Sequence, residues 1–372
     1  SEHRMRCSVV LLFFFVVDFA AAAARATWGD DLRYDLRYFE DEVVPRWVSR
    51  FAVDEGKGLY SYLPRSGTAS LYGSSDAVHL LMAVGIPVNA TEAIRAYQRR
   101  DGWYAVTKDE SECGKQPYHA AASATAALRL MGATPKYATL EKFRTGGDWQ
   151  ATLDGLYDGC ETKKLSANIH QCGQIIGSYP VLIDDEAFRS WWVDWIRNHT
   201  DPTIGLVCPP VKDSTYARVQ CIGGGMPTHG PALGLGLLES LPYAENLFRF
   251  ALDVQLETGG VWSDKERTDV GSLTLDGIFQ VTRAYLSLTS TNVKKKEGED
   301  SSFSSALRAM AEASCRTVLR ITVHQLNENA LSLYSNTSHE LPNIVAAVAE
   351  CAQTFPSLVR TRRPWSCCAV YV

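Results

Sequence analysis

The sequence predicts an all-α fold, an (α/α)6 toroid of six outer-inner helix hairpins, and three observations carry that expectation. No stretch of the 372 residues sustains a long alternation of apolar and polar positions, whereas apolar residues recur throughout at helical spacing. The helical segments are of two kinds: amphipathic ones, and ones apolar or small on every face, which must be surrounded by protein. The two kinds alternate six times along the chain. Composition agrees with a folded protein, at 46% hydrophobic and 21% charged residues. A formal net charge of -5 gives no basic footprint, so no nucleic-acid partner is expected.

In chain order, the first element reads as a secretory signal peptide over residues 1–26, with Ser1 to Arg4 as an upstream artefact. Arg6 precedes a mostly apolar run from Ser8 to Val17, and Ala24-Arg25-Ala26 forms a small-x-small cleavage site before Thr27. The run is shorter than the roughly 20 apolar residues of a spanning helix, and Asp18 interrupts it, so no membrane span is expected. The expected location is secreted or the lumen of the secretory pathway. Secretion makes Asn89-Ala90-Thr91, Asn198-His199-Thr200 and Asn336-Thr337-Ser338 candidate N-glycosylation sites.

Residues 27–372 then form a single domain. The outer, amphipathic helices fall near Glu40 to Phe51, Thr91 to Arg100, Tyr137 to Tyr157, Asp185 to Asn198, Tyr243 to Leu256 and Ser305 to Leu331. Two of them show the spacing plainly: Phe188, Trp191, Trp192 and Trp195, and Leu247, Phe250, Ala251 and Val254, each at i, i+3, i+4, i+7. The inner helices are expected to begin near Asp76, Pro117, Asn168, Pro227, Thr274 and Ser338. Glycine-containing loops recur between outer and inner members: GKGLYSYL from Gly56, RDGWY from Arg100, PTIGLVC from Pro202 and TGGVWS from Thr258. Their glycines permit positive φ, and the following aromatic or aliphatic residue can plug the ring. Residues 292–305 contain KKKEGEDSS and read as a disordered insertion before the last hairpin.

The hairpin count, with Q-x-x-D-G-x-W-like loops at Gln98 to Trp103 and Gln255 to Trp262, resembles the six-hairpin toroid superfamily over about Trp28 to Trp365. That superfamily includes terpenoid cyclases and protein prenyltransferases, and also secreted polysaccharide lyases and glycosidases. The resemblance implies a fold and leaves the chemistry to the site.

Five of the eight histidines, His79, His119, His170, His229 and His339, are expected in the first turn of an inner helix, and Asp276 takes the corresponding place in the remaining one. Parallel inner helices would bring all six to one end of the cavity. Helix N-termini attract carboxylate, sulfate or phosphate, and a neutral imidazole there can act as base, donor or metal ligand. A first-turn histidine that merely caps its helix is the competing explanation for any one of them. The expected catalytic set is His119, Tyr118, His170, His229 and Asp276. Around it, His79, His339, Tyr72, Asp76, Trp103, Trp262 and Arg283 are expected to bind substrate, the two tryptophans by stacking on sugar faces at the rim and Arg283 by pairing with Asp276 or an anion.

No cofactor is expected, and an all-histidine metal site drawn from the ring stays open as an alternative. Cys160 with Cys172 and Cys208 with Cys221 bracket equivalent loops and are expected as disulfides, with Cys315 and Cys351 tying the last hairpin; Cys113, Cys367 and Cys368 are unassigned. These features together point to a secreted carbohydrate-active enzyme that cleaves an acidic polysaccharide by β-elimination. Hydrolysis by the usual route needs two facing carboxylates, and the ring offers Asp276 with Asp76 as an uncertain second. The alternatives are a terpenoid-cyclase-like cyclase or isomerase, for which the D-x-D-D acid motif is missing, and a non-catalytic glycan-binding toroid.

Overall fold

The structure is a computed structural model that describes residues 33–108, 117–138, 149–162, 169–183, 185–208, 215–224, 241–262, 272–293, 301–333 and 337–365. The expected signal segment, Cys113, Cys367, Cys368 and His229 lie outside those residues. Among the described residues 68% are helical and 6% are in strands, so the all-α expectation holds. Among the described residues twelve α-helices follow one another: α1 Val44–Phe51, α2 Leu71–Ala83, α3 Thr91–Ala96, α4 Pro117–Leu130, α5 Trp149–Thr162, α6 Ile169–Leu182, α7 Glu186–His199, α8 Thr215–Gly224, α9 Ala244–Glu257, α10 Ser272–Val293, α11 Ser301–Leu333 and α12 Glu340–Thr354. A π-helical turn, Phe39–Val43, leads into α1. Among the described residues no helix is long and apolar enough to cross a membrane.

The even-numbered helices pack in a cyclic order. Helix α2 contacts α4, α4 contacts α6, α6 contacts α8, α8 contacts α10, α10 contacts α12, and α12 returns to α2. The odd-numbered helices lie against them, with α5 and α7 on α6, α9 on α10, and α11 on both α10 and α12. Burial follows the same division. Every residue from Leu341 to Ala352 of α12 is buried, and so is nearly all of α2, as expected of helices without a polar face. In α7 the buried stripe is Phe188, Trp192, Trp195 and Ile196, while the Asp185 carboxylate caps the helix by accepting from the Phe188 amide at 2.8 Å.

One helix begins earlier than the sequence suggested. Helix α2 starts at Leu71 because Ser70, with extended backbone, caps it by accepting from the Gly73 amide at 2.9 Å; the start expected near Asp76 is therefore displaced by more than a turn. Helix α8 carries Cys221, which forms the expected disulfide with Cys208 and closes the loop after α7, and the helix start expected near Pro227 lies outside the described residues. Within the expected insertion, residues 301–305 belong to α11, and residues 294–300 lie outside the described set.

The first and last described segments are held to each other. Strand β1, Tyr34–Asp35, pairs in parallel with a C-terminal strand, Val359–Arg360. The buried Glu40 carboxylate accepts from the backbone amides of Arg362 and Arg363 and from the Trp365 indole, the last at 2.8 Å. In the connecting loops, Gly58, Gly102, Gly205 and Gly260 all have positive φ, as the loop reading requires. At Gly205 both constraints meet: φ is 70°, and a β-carbon would lie 2.7 Å from the Leu247 side chain of α9.

Trp262 is the plug of its loop. Its indole is fully buried, donates to the Ala251 carbonyl at 3.0 Å, and lies flat against Gly277 of α10, where a methyl group would overlap the ring. Gly277→Ala should therefore cost about 1–3 kcal/mol through overpacking, measured as a lowered denaturant midpoint with an unchanged slope. A stability equal to that of the parent protein would show that the indole can step aside.

Candidate functional site

A cluster of titratable side chains forms where α2, α4 and α12 meet, the point at which the cyclic packing of even-numbered helices closes. Tyr72 and Asp76, four residues apart, lie on one stripe of α2. Asp76 is 1% exposed and would be costly to bury alone, but each of its oxygens has a donor from the residues just ahead of α12. His339 Nδ1 donates to Oδ1 at 2.9 Å and the Ser338 hydroxyl donates to Oδ2 at 2.6 Å. Ser338 is itself fixed, its amide donating to the Tyr62 carbonyl at 2.8 Å. The Tyr72 hydroxyl is hydrogen-bonded to His119 Nδ1 in α4, with the two rings stacked at 5.8 Å and inclined by 16°.

The two imidazoles are neighbours. Their ring centroids are 5.6 Å apart and nearly perpendicular, and Tyr72 meets the His339 ring edge-on at 5.3 Å. Because Asp76 accepts from Nδ1 of His339, that ring carries its lone pair on Nε2, the form a proton acceptor needs. The His339 side chain is 12% exposed and His119 is half-buried, so the imidazole edges are what the cluster presents, while Tyr72 and Asp76 lie beneath them.

The other expected site residues are placed less uniformly. His79, the ninth residue of α2 rather than a first-turn residue, is buried and donates from Nε2 to the Ser123 carbonyl at 3.2 Å; the first-turn place in α2 belongs to Tyr72. Tyr118 and His170 are the second residues of α4 and α6, and their side chains lie outside the described set. His229 also lies outside it.

Asp276, the fifth residue of α10, is buried. Arg283 is 1% exposed, with its guanidinium 3.8 Å from the centroid of the Phe279 ring and 3.4 Å from the Glu350 carboxylate of α12, so it serves the core where a substrate-binding role was expected. Trp262, buried under α10, does not stack on a sugar at the rim. Trp103 remains half-buried in its loop, its amide donating to Asp101 at 3.1 Å.

Cys315 and Cys351, the expected disulfide of the last hairpin, are buried thiols and form no disulfide with each other. Burial pushes the Cys315 thiol above its ordinary range, and a hydrogen bond with Cys351 acts in the opposite sense. Cys160 and Cys172 have side chains outside the described set. Among the described residues, no group of three His, Cys, Asp or Glu side chains is placed to hold a metal ion.

The residues that sequence reasoning missed are the second partners. Ser338 was visible as a helix-start signal, yet its bond to Asp76 joins positions 262 residues apart, and no local pattern encodes that pairing. Comparison of the chain with family models, with curated proteins and with solved structures finds no match. The chemistry of the cluster therefore has to be argued from its own residues.

Proposed function

We propose that the chain is a secreted lyase that cleaves an acidic polysaccharide by β-elimination, built as an (α/α)6 toroid with the Tyr72, Asp76, His119 and His339 cluster at one end. The toroid reading is supported by the cyclic order of α2, α4, α6, α8, α10 and α12 with the odd-numbered helices against them. Secretion is supported by the apolar leader, and the Cys208 to Cys221 disulfide is compatible with an oxidising compartment.

The observation that carries the reaction class is the Asp76 to His339 pair. A buried carboxylate holding Nδ1–H of an imidazole at 2.9 Å orients the ring and stabilises the imidazolium formed when Nε2 accepts a proton. In an elimination, His339 Nε2 takes the proton from C5 of the uronate. The C5–H electron pair becomes the C4=C5 double bond as the C4–O bond breaks, and the departing oxygen takes a proton from His119. Such a step needs one acceptor and one donor side by side, and the two ring centroids are 5.6 Å apart. The substrate carboxylate is served by the N-terminal ends of α4 and α12, whose positive dipole ends favour negative charge. In this reading His339, expected from sequence to bind substrate, is the base, and Arg283 has no part in the reaction.

The test incubates protein lacking residues 1–26 with a panel of acidic and neutral polysaccharides, following ultraviolet absorbance and reducing ends in the same reactions. Absorbance rising in step with reducing ends is the expected result. Reducing ends alone would favour hydrolysis, and binding with neither signal would favour a non-catalytic glycan-binding ring.

A further inference from the structure

Tyr72 is fully buried, and its hydroxyl is hydrogen-bonded to Nδ1 of a histidine on a neighbouring helix. It is surrounded by the groups of the cluster: the stacked His119 ring, the His339 ring edge-on at 5.3 Å, and Tyr62 at 6.1 Å, with Asp76 one turn further along α2. Asp76 takes its protons from Ser338 and His339, so within this group the Tyr72 bond goes to His119. A phenol is a far better donor than acceptor toward a neutral imidazole. With Tyr72 donating into Nδ1, the His119 ring keeps its own proton on Nε2, the opposite arrangement to His339.

We infer that Tyr72 is a positioning residue that fixes His119 with Nε2 as its donor atom and supplies the proton that His119 passes on. The inference rests on the lyase reading for the identity of the proton's destination, and on the Tyr72 to His119 bond for everything else. As the C4–O bond breaks, the departing oxygen takes the Nε2 proton of His119, and the Tyr72 hydroxyl proton moves to Nδ1. His119 ends the step neutral and Tyr72 ends it as a phenolate. His339 has meanwhile become an imidazolium by taking the C5 proton, so one proton gained and one lost leave the cluster's total charge unchanged. The phenolate, whose ordinary pKa is near ~10, is stabilised by the imidazolium against its ring edge. Return of a proton from His339 to Tyr72 resets the pair.

The experiment is proton magnetic resonance of the full chain with ring-nitrogen-labelled histidine, on the wild type and on Tyr72→Phe, His119→Gln and His339→Ala. The expected result is a downfield, exchange-protected hydroxyl proton correlated with His119 Nδ1 in the wild type. It should be lost in Tyr72→Phe and His119→Gln and kept in His339→Ala. Its absence from the wild type, a measurement that needs no variant to fold, would overturn the inference. On a polysaccharide that the wild type cleaves, Tyr72→Phe should lower kcat on the order of 10²-fold with KM unchanged. An unchanged kcat would remove Tyr72 as the proton source even with the resonance present. Failure of every polysaccharide to be cleaved would count against the lyase reading, and the resonance would still decide the role of Tyr72.

Discussion

His339→Ala should lower turnover of an acidic polysaccharide by about 10²–10⁴-fold, the usual worth of a positioned general base, while leaving the helical circular dichroism unchanged. The separation of the two effects follows from where the residue sits. His339 precedes α12 rather than lying within it, its backbone does not depend on its ring, and its side chain is 12% exposed, so the truncation opens no sealed cavity. Asp76→Asn should lie between His339→Ala and the parent protein. It keeps the shape of the side chain but loses the charge that holds Nδ1–H and favours the imidazolium, and the Ser338 hydroxyl can still donate to the amide oxygen. An Asp76→Asn variant with full turnover would show that the carboxylate has no part in orienting the base.

The second large effect is on stability. Glu350→Ala should cost about 3–5 kcal/mol, because it removes the carboxylate that pairs with a guanidinium buried between α10 and α12. The Thr282 hydroxyl, which donates to the same carboxylate at 2.6 Å, would fall back on the Ile278 carbonyl at 2.9 Å. The Arg283 ring contact with Phe279 would persist but cannot replace a counter-charge. Chemical denaturation of Glu350→Ala beside the double replacement Glu350→Leu, Arg283→Met separates the two possibilities. The pair of apolar residues should recover most of the loss, since the penalty comes from the uncompensated charge rather than from the missing volume. Equal losses in both variants would mean that packing around Glu350, not its charge, holds the two helices.

The helical character of the chain could be read almost element by element, because amphipathic spacing is a local property. The α7 and α9 stripes fall where the spacing put them, with Trp191 alone turning partly outward from α7. The Asp185 cap and the positive-φ loop glycines were legible for the same reason. Helix starts were harder. Ser75 and Asp76 look like a cap in sequence, but Ser70 has the extended backbone and takes the Gly73 amide, which moves His79 more than a turn deeper and puts Tyr72 in the place assigned to a histidine.

Partner identity was the least legible. Arg283 was expected to meet an anion or Asp276, and the carboxylate that reaches it, Glu350, stands 67 residues away on another helix. Cys315 and Cys351 were expected as a disulfide and lie together as buried thiols. Of the candidate site, Tyr72, Asp76, His119 and His339 were each singled out from sequence, but only the packing of α12 against α2 shows that the four belong together, with Asp76 and Tyr72 setting which nitrogen of each imidazole carries the proton.

The most direct test of the lyase account is the mass of the shortest fragments released from a defined acidic oligosaccharide. Elimination predicts fragments whose masses sum to that of the parent, one of them lighter by a water than the corresponding hydrolytic product, and release slowed by the same ~10²–10⁴-fold with His339→Ala. Fragments that together weigh one water more than the parent, or undiminished release by His339→Ala, would contradict it and return the chemistry to the carboxylates Asp76 and Asp276.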